Sequence, residues 1–283
     1  MPVGSSLRRL IQQAEGALLV FVTERFAGSL KLYWSRSKPN FGDALSPLIC
    51  EAVSGKQMIH AKPGHCQLVA LGSLMHRFQK RRLWARKVHV WGTGFMAEPE
   101  RCRLKHHFHA VRGHRTREAL GLEEGTPVGD PGLLAHLLLK DSKPAEKRWR
   151  AGFMAHYKDK GNHELAAFVA SDPRFCEIDV FAPPHEVLKQ IHECDVVFSS
   201  AMHGLIAADA LRVPNAWLKL SDLVRGNDFK FCDYYSVFGM DATPVRLTVE
   251  NVPGTIDQVI GEYERCGLSE IQEGLIRSFP QIT

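Results

Sequence analysis

DVVFSSAMHGLIAADALRVP, residues 195–214, is the stretch from which the fold is read. Residues 195–199 form a short apolar run rich in β-branched side chains, the pattern of a buried strand. Beyond the two serines, Leu205, Ile206, Ala208, Leu211 and Val213 recur at helical spacing. The junction therefore reads as strand, tight turn, helix. Ser199 or Ser200 is placed to cap that helix, whose first N–H groups lack partners inside it. Such an end attracts anions. His203 falls in the first turn, at the mouth where a ligand would sit; the alternative is a half-buried structural histidine.

The same alternation extends in both directions. Upstream, strands are expected at 32–34, 68–71, 88–91, 108–111, 152–155 and 176–180, with one more at 216–218. Helices are expected to begin near Pro47, capped by Asp43 or Ser46, and to cover 116–120, 133–139, 164–170, 184–192 and the C-terminal 256–277. Strands alternating with helices imply parallel sheets with right-handed crossovers. The charged, proline-containing SKPAEKRWR, residues 142–150, reads as a linker. The expected fold is α/β, with two Rossmann-like domains of parallel sheet, residues 1–145 and 146–283.

Composition narrows the class. With 283 residues, 45% hydrophobic and 24% charged, the chain is long enough for two modest globular domains. Its net charge of +5 suits an anionic small molecule or an acidic membrane face and is too weak to argue for nucleic acid. Seven scattered cysteines with no CxxC pair point to reduced thiols and a cytoplasmic setting. No apolar run reaches the length of a membrane span. Residues 5–28 carry Arg8, Arg9 and Arg25 beside Leu10, Ile11 and Leu18; they read as a packing helix or as an amphipathic segment resting on an anionic membrane surface.

Ligands of open α/β sheets bind outside the carboxyl ends of the strands. Here those ends carry NFGD, GS, GTG, RG, GDP, AHY and SSAMHG. A purely structural sheet needs turn residues there, but not Arg112, Asp130, His156 and His203.

NFGDALSP (40–47), VWGTGFM (90–96), AVRGHRTREAL (110–120), GDPGLL (129–134), SSAMHGLIAADALRVPNAWL (199–218) and DFKFCDYYSVFG (228–239) together resemble the polysaccharide pyruvyl transferase family. The likeness is closest to the ketal-pyruvyl transferases of bacterial exopolysaccharides such as xanthan and succinoglycan. That resemblance implies a GT-B-like arrangement of the two domains and phosphoenolpyruvate as donor, with no cofactor. The product it implies is a cyclic pyruvate ketal on two hydroxyls of a glycan, carried on a polyprenyl diphosphate at the cytoplasmic face of the inner membrane. The chain departs from the family at Ala201, where many members carry arginine, and at His114, where the exopolysaccharide branch has proline.

Phosphoenolpyruvate needs cationic donors and oriented N–H groups. Arg112 offers a guanidinium that matches carboxylate or phosphate. The turn formed by Ser199, Ser200 and Met202 offers a helix end, and Lys230 a point charge from a loop. Acid–base work on the donor's methylene carbon and on the sugar hydroxyls points to His203 first, His156 second and Asp43 third. Asn40, Asp130 and Tyr234 are the candidate acceptor contacts, with Tyr235 a further ring for a sugar to stack on. Arg115 is expected to face solvent. His106, His107 and His109 invite a metal reading, but no carboxylate or cysteine at ligand spacing completes a set, and none is expected. Two other functions share this fold: a GT-B glycosyltransferase using a nucleotide-sugar, and a non-catalytic glycan-binding subunit.

Overall fold

A computed structural model of the chain describes residues 28–38, 40–79, 86–139, 146–221 and 228–282. The amphipathic segment 5–28 lies almost wholly outside the described residues, as does half of the 142–150 linker.

The first half runs β1 (Ser29–Tyr33), α1 (Phe41–Ser54), β2 (Gln57–His60), β3 (Leu68–Val69), β4 (His89–Trp91), β5 (His107–Ala110) and α2 (His114–Ala119). A nine-residue 3₁₀ segment, Pro131–Leu139, follows. The second half runs β6 (Ala151–Met154), α3 (His163–Ala170), β7 (Phe175–Glu177), α4 (Pro184–His192), β8 (Val197–Ser199), α5 (Met202–Ala210) and β9 (Asn215–Trp217). It closes with α6 (Phe229–Tyr235), α7 (Val252–Glu262) and α8 (Leu268–Arg277).

Among the described residues the strands form two sheets, ordered β2-β1-β3-β4-β5 and β7-β6-β8-β9, and every pairing is parallel. These are two Rossmann-like α/β units. In the second sheet the inner strands are buried runs rather than alternations: all four residues of β6 and all three of β8 are buried. That is the signature of parallel strands covered on both faces. In each sheet the chain order reverses beside its first strand, between β1 and β3 and between β6 and β8. Such switch points leave a crevice outside the strand ends.

Several elements differ from the sequence reading. Helix α1 starts at Phe41, six residues before Pro47, because Asn40 is its cap: Asn40 Oδ1 accepts the Asp43 N–H at 3.2 Å. Phe41, Leu45 and Ile49, four apart, bury one stripe, which outweighs the hydrogen bond lost at Pro47. β2 is a short edge strand, partly polar, and gives no periodic signal. The C-terminal 256–277 is two helices, broken where Gly267 takes a left-handed φ of 74°. DFKF lies in α6 and not in a loop.

The two sheets fall on either side of residue 146, yet the second half returns to the first. Trp91 Nε1 donates to the Leu275 carbonyl at 3.0 Å, Phe279 packs edge-on to Trp91, and Lys56 Nζ reaches the Ile282 carbonyl at 2.7 Å. One apolar cluster runs from Leu32 and Trp91 through Leu134 to Leu205 and Phe231. A shared core of this kind holds two units in a fixed relation.

Candidate active site

Both switch points open on one cleft of about 580 Å³. Tyr33, Ser35, Ser73 and Leu74, just past β1 and β3, line one side; Met154, His156, Ala201, Met202 and His203, past β6 and β8, line the other. The first turn of α1 adds Asn40, Phe41, Gly42 and Asp43. Two helices thus direct their N-termini at the same space, each with a partial positive charge.

Ala201, not a serine, is the N-cap of α5, and it makes no side-chain capping bond. The serines before it do other work. Ser199 Oγ accepts the Ala201 N–H at 3.1 Å, and Ser200 Oγ donates to Asp159 at 2.9 Å while accepting the His156 N–H at 2.8 Å. Both are buried and neither lines the cleft. They stitch the turn after β8 to the loop after β6. Met202 is the member of that trio whose side of the turn faces the cleft.

His203 sits where the two units meet. Its Nε2 is buried with no hydrogen-bond partner among the described residues and lies 3.9 Å from Asp130 Oδ2. Burial pulls its pKa below the ordinary histidine value, while Asp130 and then Asp43 oppose that and Lys230 and Arg112 reinforce it. A neutral ring in the free protein, poised to take a proton when an anion arrives, follows from this balance. Asp130 itself is fully buried, accepting from the Gly132 N–H at 2.9 Å and the Gly72 N–H at 3.3 Å. It stands behind His203 and does not line the cleft, so it does not meet an acceptor there.

Asp43 lines the cleft and is held by Asn40 Nδ2, which donates to its carboxylate at 2.7 Å. Burial raises its pKa, against the lowering effect of His203 and Asn40. His156 is pushed down to about 3, by burial first and then by Lys230, Lys158 and His203. It is therefore a neutral base or acceptor over the working range and not an acid. Its ring packs 4.2 Å from that of Tyr157.

Lys230, the second residue of α6, is 6% exposed and lines the cleft, its ammonium 5.0 Å from the Phe231 ring. Burial, then Arg112 and Lys158, lower its pKa to about 8.

Two expected contacts lie elsewhere. Arg112 is completely buried and ion-paired with Asp233, so its guanidinium does not open on the cleft. Tyr234 is also fully buried, its hydroxyl donating to Asp209; Tyr235 is buried beside it. Tyr33 and Tyr157 are the rings that the cleft presents instead. Arg115 is exposed on α2. His109 pairs with His89 at 2.8 Å, with His107 stacked on His89, and among the described residues no group of three or more His, Cys, Asp or Glu is arranged to hold a metal ion.

Lys38, His76, Arg77, Met96 and Lys158 also line the cleft. Lys38 and Lys158 lie in loops, His76 and Arg77 in a short 3₁₀ turn, Met75–Arg77, and Met96 closes the VWGTGFM segment. The one available signal is position: each follows the carboxyl end of a strand. With Lys230 they give the wall, among the described residues, four Lys or Arg side chains against the one carboxylate of Asp43.

Fold and site define an α/β protein of two units that meet at a cationic cleft, with a histidine between two sets of strand ends. The model of the polysaccharide pyruvyl transferase family matches residues 15–222, and the chain belongs to that family. It is 25% identical over 233 residues to the succinoglycan biosynthesis protein ExoV of Rhizobium meliloti (strain 1021), covering 77% of this chain and 67% of that one. It is 28% identical over 158 residues to the uncharacterized protein L143 of Acanthamoeba polyphaga mimivirus, covering 54% of this chain and 55% of that one. The chain thus spans about half to two thirds of the length of these relatives. A crystal structure of an uncharacterized Klebsiella pneumoniae protein superposes on 83% of this chain and 98% of its own, with a TM-score of 0.40 and 12% identity. Among the described residues no helix is long and apolar enough to cross a membrane.

Proposed function

We propose that the protein transfers pyruvate from phosphoenolpyruvate to two hydroxyls of one sugar, as a cyclic ketal. The observation that carries this reading is a cationic cleft with a buried histidine ring nitrogen that has no hydrogen-bond partner among the described residues. The donor's anionic groups meet Lys230 and the N-terminus of α5. His203, protonated once the donor is bound, delivers a proton to the methylene carbon, and positive character develops at the neighbouring carbon. A sugar hydroxyl bonds to that carbon and gives up its proton, for which His156 or Asp43 is the nearest base. The bond from that carbon to the phosphate oxygen then breaks, the second hydroxyl bonds to the carbon in its place, and the proton of that hydroxyl leaves with the phosphate. Asn40 and Asp43 orient the hydroxyls, and Tyr157 offers a ring face to the sugar. The donor's charge is met without a divalent ion, so chelation leaves turnover unchanged.

The likeness to ExoV supports an exopolysaccharide oligosaccharide as acceptor. Lys38 and Arg77 at the rim suit the diphosphate of a polyprenyl carrier, which would place the reaction at the cytoplasmic face of the inner membrane. Incubation with phosphoenolpyruvate and lipid-linked oligosaccharide should add the mass of pyruvate less water to the glycan and release inorganic phosphate. A hexose added from a nucleotide-sugar would instead identify a glycosyltransferase, and no mass gain from either donor would identify a binding subunit.

Lys230 gives this reading a pH signature. Its ammonium loses a proton as pH rises through about 8. Donor kcat/KM should therefore be full below that pH and fall above it. Lys230→Met should lower kcat/KM about 30-fold or more at neutral pH, the scale for truncating one partner of a buried charge pair, and remove the alkaline fall. An unchanged alkaline limb in that variant would assign it to another group.

A further inference from the structure

Arg112 lies buried behind the cleft wall, and each of its hydrogen bonds leads to a different part of that wall. Its Nη1 donates to Ser73 Oγ at 2.6 Å, and Ser73 lines the cleft past β3. Its Nη2 donates to the Phe95 carbonyl at 2.6 Å, and the next residue, Met96, lines the cleft past β4. Its Nε donates to Asp233 Oδ2 at 2.9 Å. Asp233 is on α6, three residues after Lys230 and so on the same side of that helix. The Asp233 carboxylate also accepts the Thr116 N–H at 2.8 Å and the Thr116 hydroxyl at 2.6 Å. The chain runs so close here that a Cβ on Gly113 would lie 1.8 Å from the Asp233 carbonyl oxygen. The end of α6 is thereby fastened to the strand end that carries Arg112.

We infer that Arg112 is a positioning residue: through Asp233 it holds α6 so that Lys230 faces the anion in the cleft, and it does not itself touch the ligand. A buried guanidinium whose charge is met by Asp233 and whose three nitrogens each already donate has little left to offer a ligand. A buried pair of this kind also fixes geometry better than it adds stability. The inference rests on the reading of the cleft as the donor site, but only in taking the cleft's ligand to be an anion.

A double-mutant cycle tests it. Dissociation constants for phosphoenolpyruvate and, separately, for inorganic phosphate are measured by calorimetry for wild type, Arg112→Lys, Lys230→Met and the double variant. Each single change should weaken binding about 10-fold or more, and the double should be no weaker than Lys230→Met alone. Losses that multiply in the double variant, or an Arg112→Lys protein that binds like wild type, would overturn the inference. Asp233→Asn keeps the test decisive if Arg112→Lys does not fold. It should weaken binding as Arg112→Lys does, whereas an arginine that bound the ligand directly would be freed by it and bind as well or better. Coupling seen with phosphate but no binding of phosphoenolpyruvate would keep the clamp and reject the donor assignment.

Discussion

His203→Asn is expected to lower kcat by about 10²–10⁴, the usual contribution of a positioned acid or base, and to leave the protein folded. The expectation about stability comes from the same atom. A buried ring nitrogen without a partner costs about 1–3 kcal/mol of unrecovered solvation. Such a cost persists where function needs the group free. Replacing it should therefore not lower the melting temperature. A proton balance supplies a second readout. In the free protein His203 titrates below its ordinary value. An anion beside it raises that value, so donor binding near neutral pH takes up protons. Calorimetry in buffers of different ionisation enthalpy should show this uptake in wild type and a smaller one in His203→Asn. Turnover near the wild-type level in a folded His203→Asn protein would move the acid role to another residue.

Gly42→Ala is expected to lower kcat/KM about 100-fold, although helix propensity alone favours alanine by about 1 kcal/mol. Gly42 is in the first turn of α1, and a Cβ there would stand 2.2 Å from His203 Nδ1 and 3.0 Å from His203 Cβ. The second of these is not the tip of a mobile side chain. Either His203 rotates or the two units part, and both remove the ring from its position over the cleft. The fold has other ties across the junction, among them the Phe41 N–H to the Val180 carbonyl at 2.7 Å. Circular dichroism and the melting curve should therefore stay close to wild type while turnover falls. An active Gly42→Ala protein would show that His203 need not stay against α1 for chemistry.

Much of the fold was legible in the sequence because parallel βα units announce themselves locally. A buried strand is a short apolar run, and its following helix is a periodic one. The strand–turn–helix at 195–210 needed no knowledge of the rest of the chain, nor did the placing of His203 at its mouth. Asn40, Asp43, His156 and Lys230 were likewise readable as polar residues in ordered motifs, and all of them line the cleft. The cap of α1 is not legible in the sequence because Pro47 is a stronger local signal than Asn40, and the apolar stripe that overrules it packs on residues 131–139, far along the chain.

The sequence by itself therefore determined two series of parallel strands with polar groups at their carboxyl ends, and which short segments carry those groups. Tertiary structure alone decided which of the groups share a space. Arg112 and Lys230 look alike as cations in family motifs, yet Asp233 draws one into the wall while the other opens on the cleft. Tyr234 and Tyr157 look alike as rings for a sugar, yet Asp209 buries the first. Strand identity depends on neighbours a few residues away, whereas burial and charge pairing depend on residues 121 or 25 positions distant. No local pattern encodes those separations.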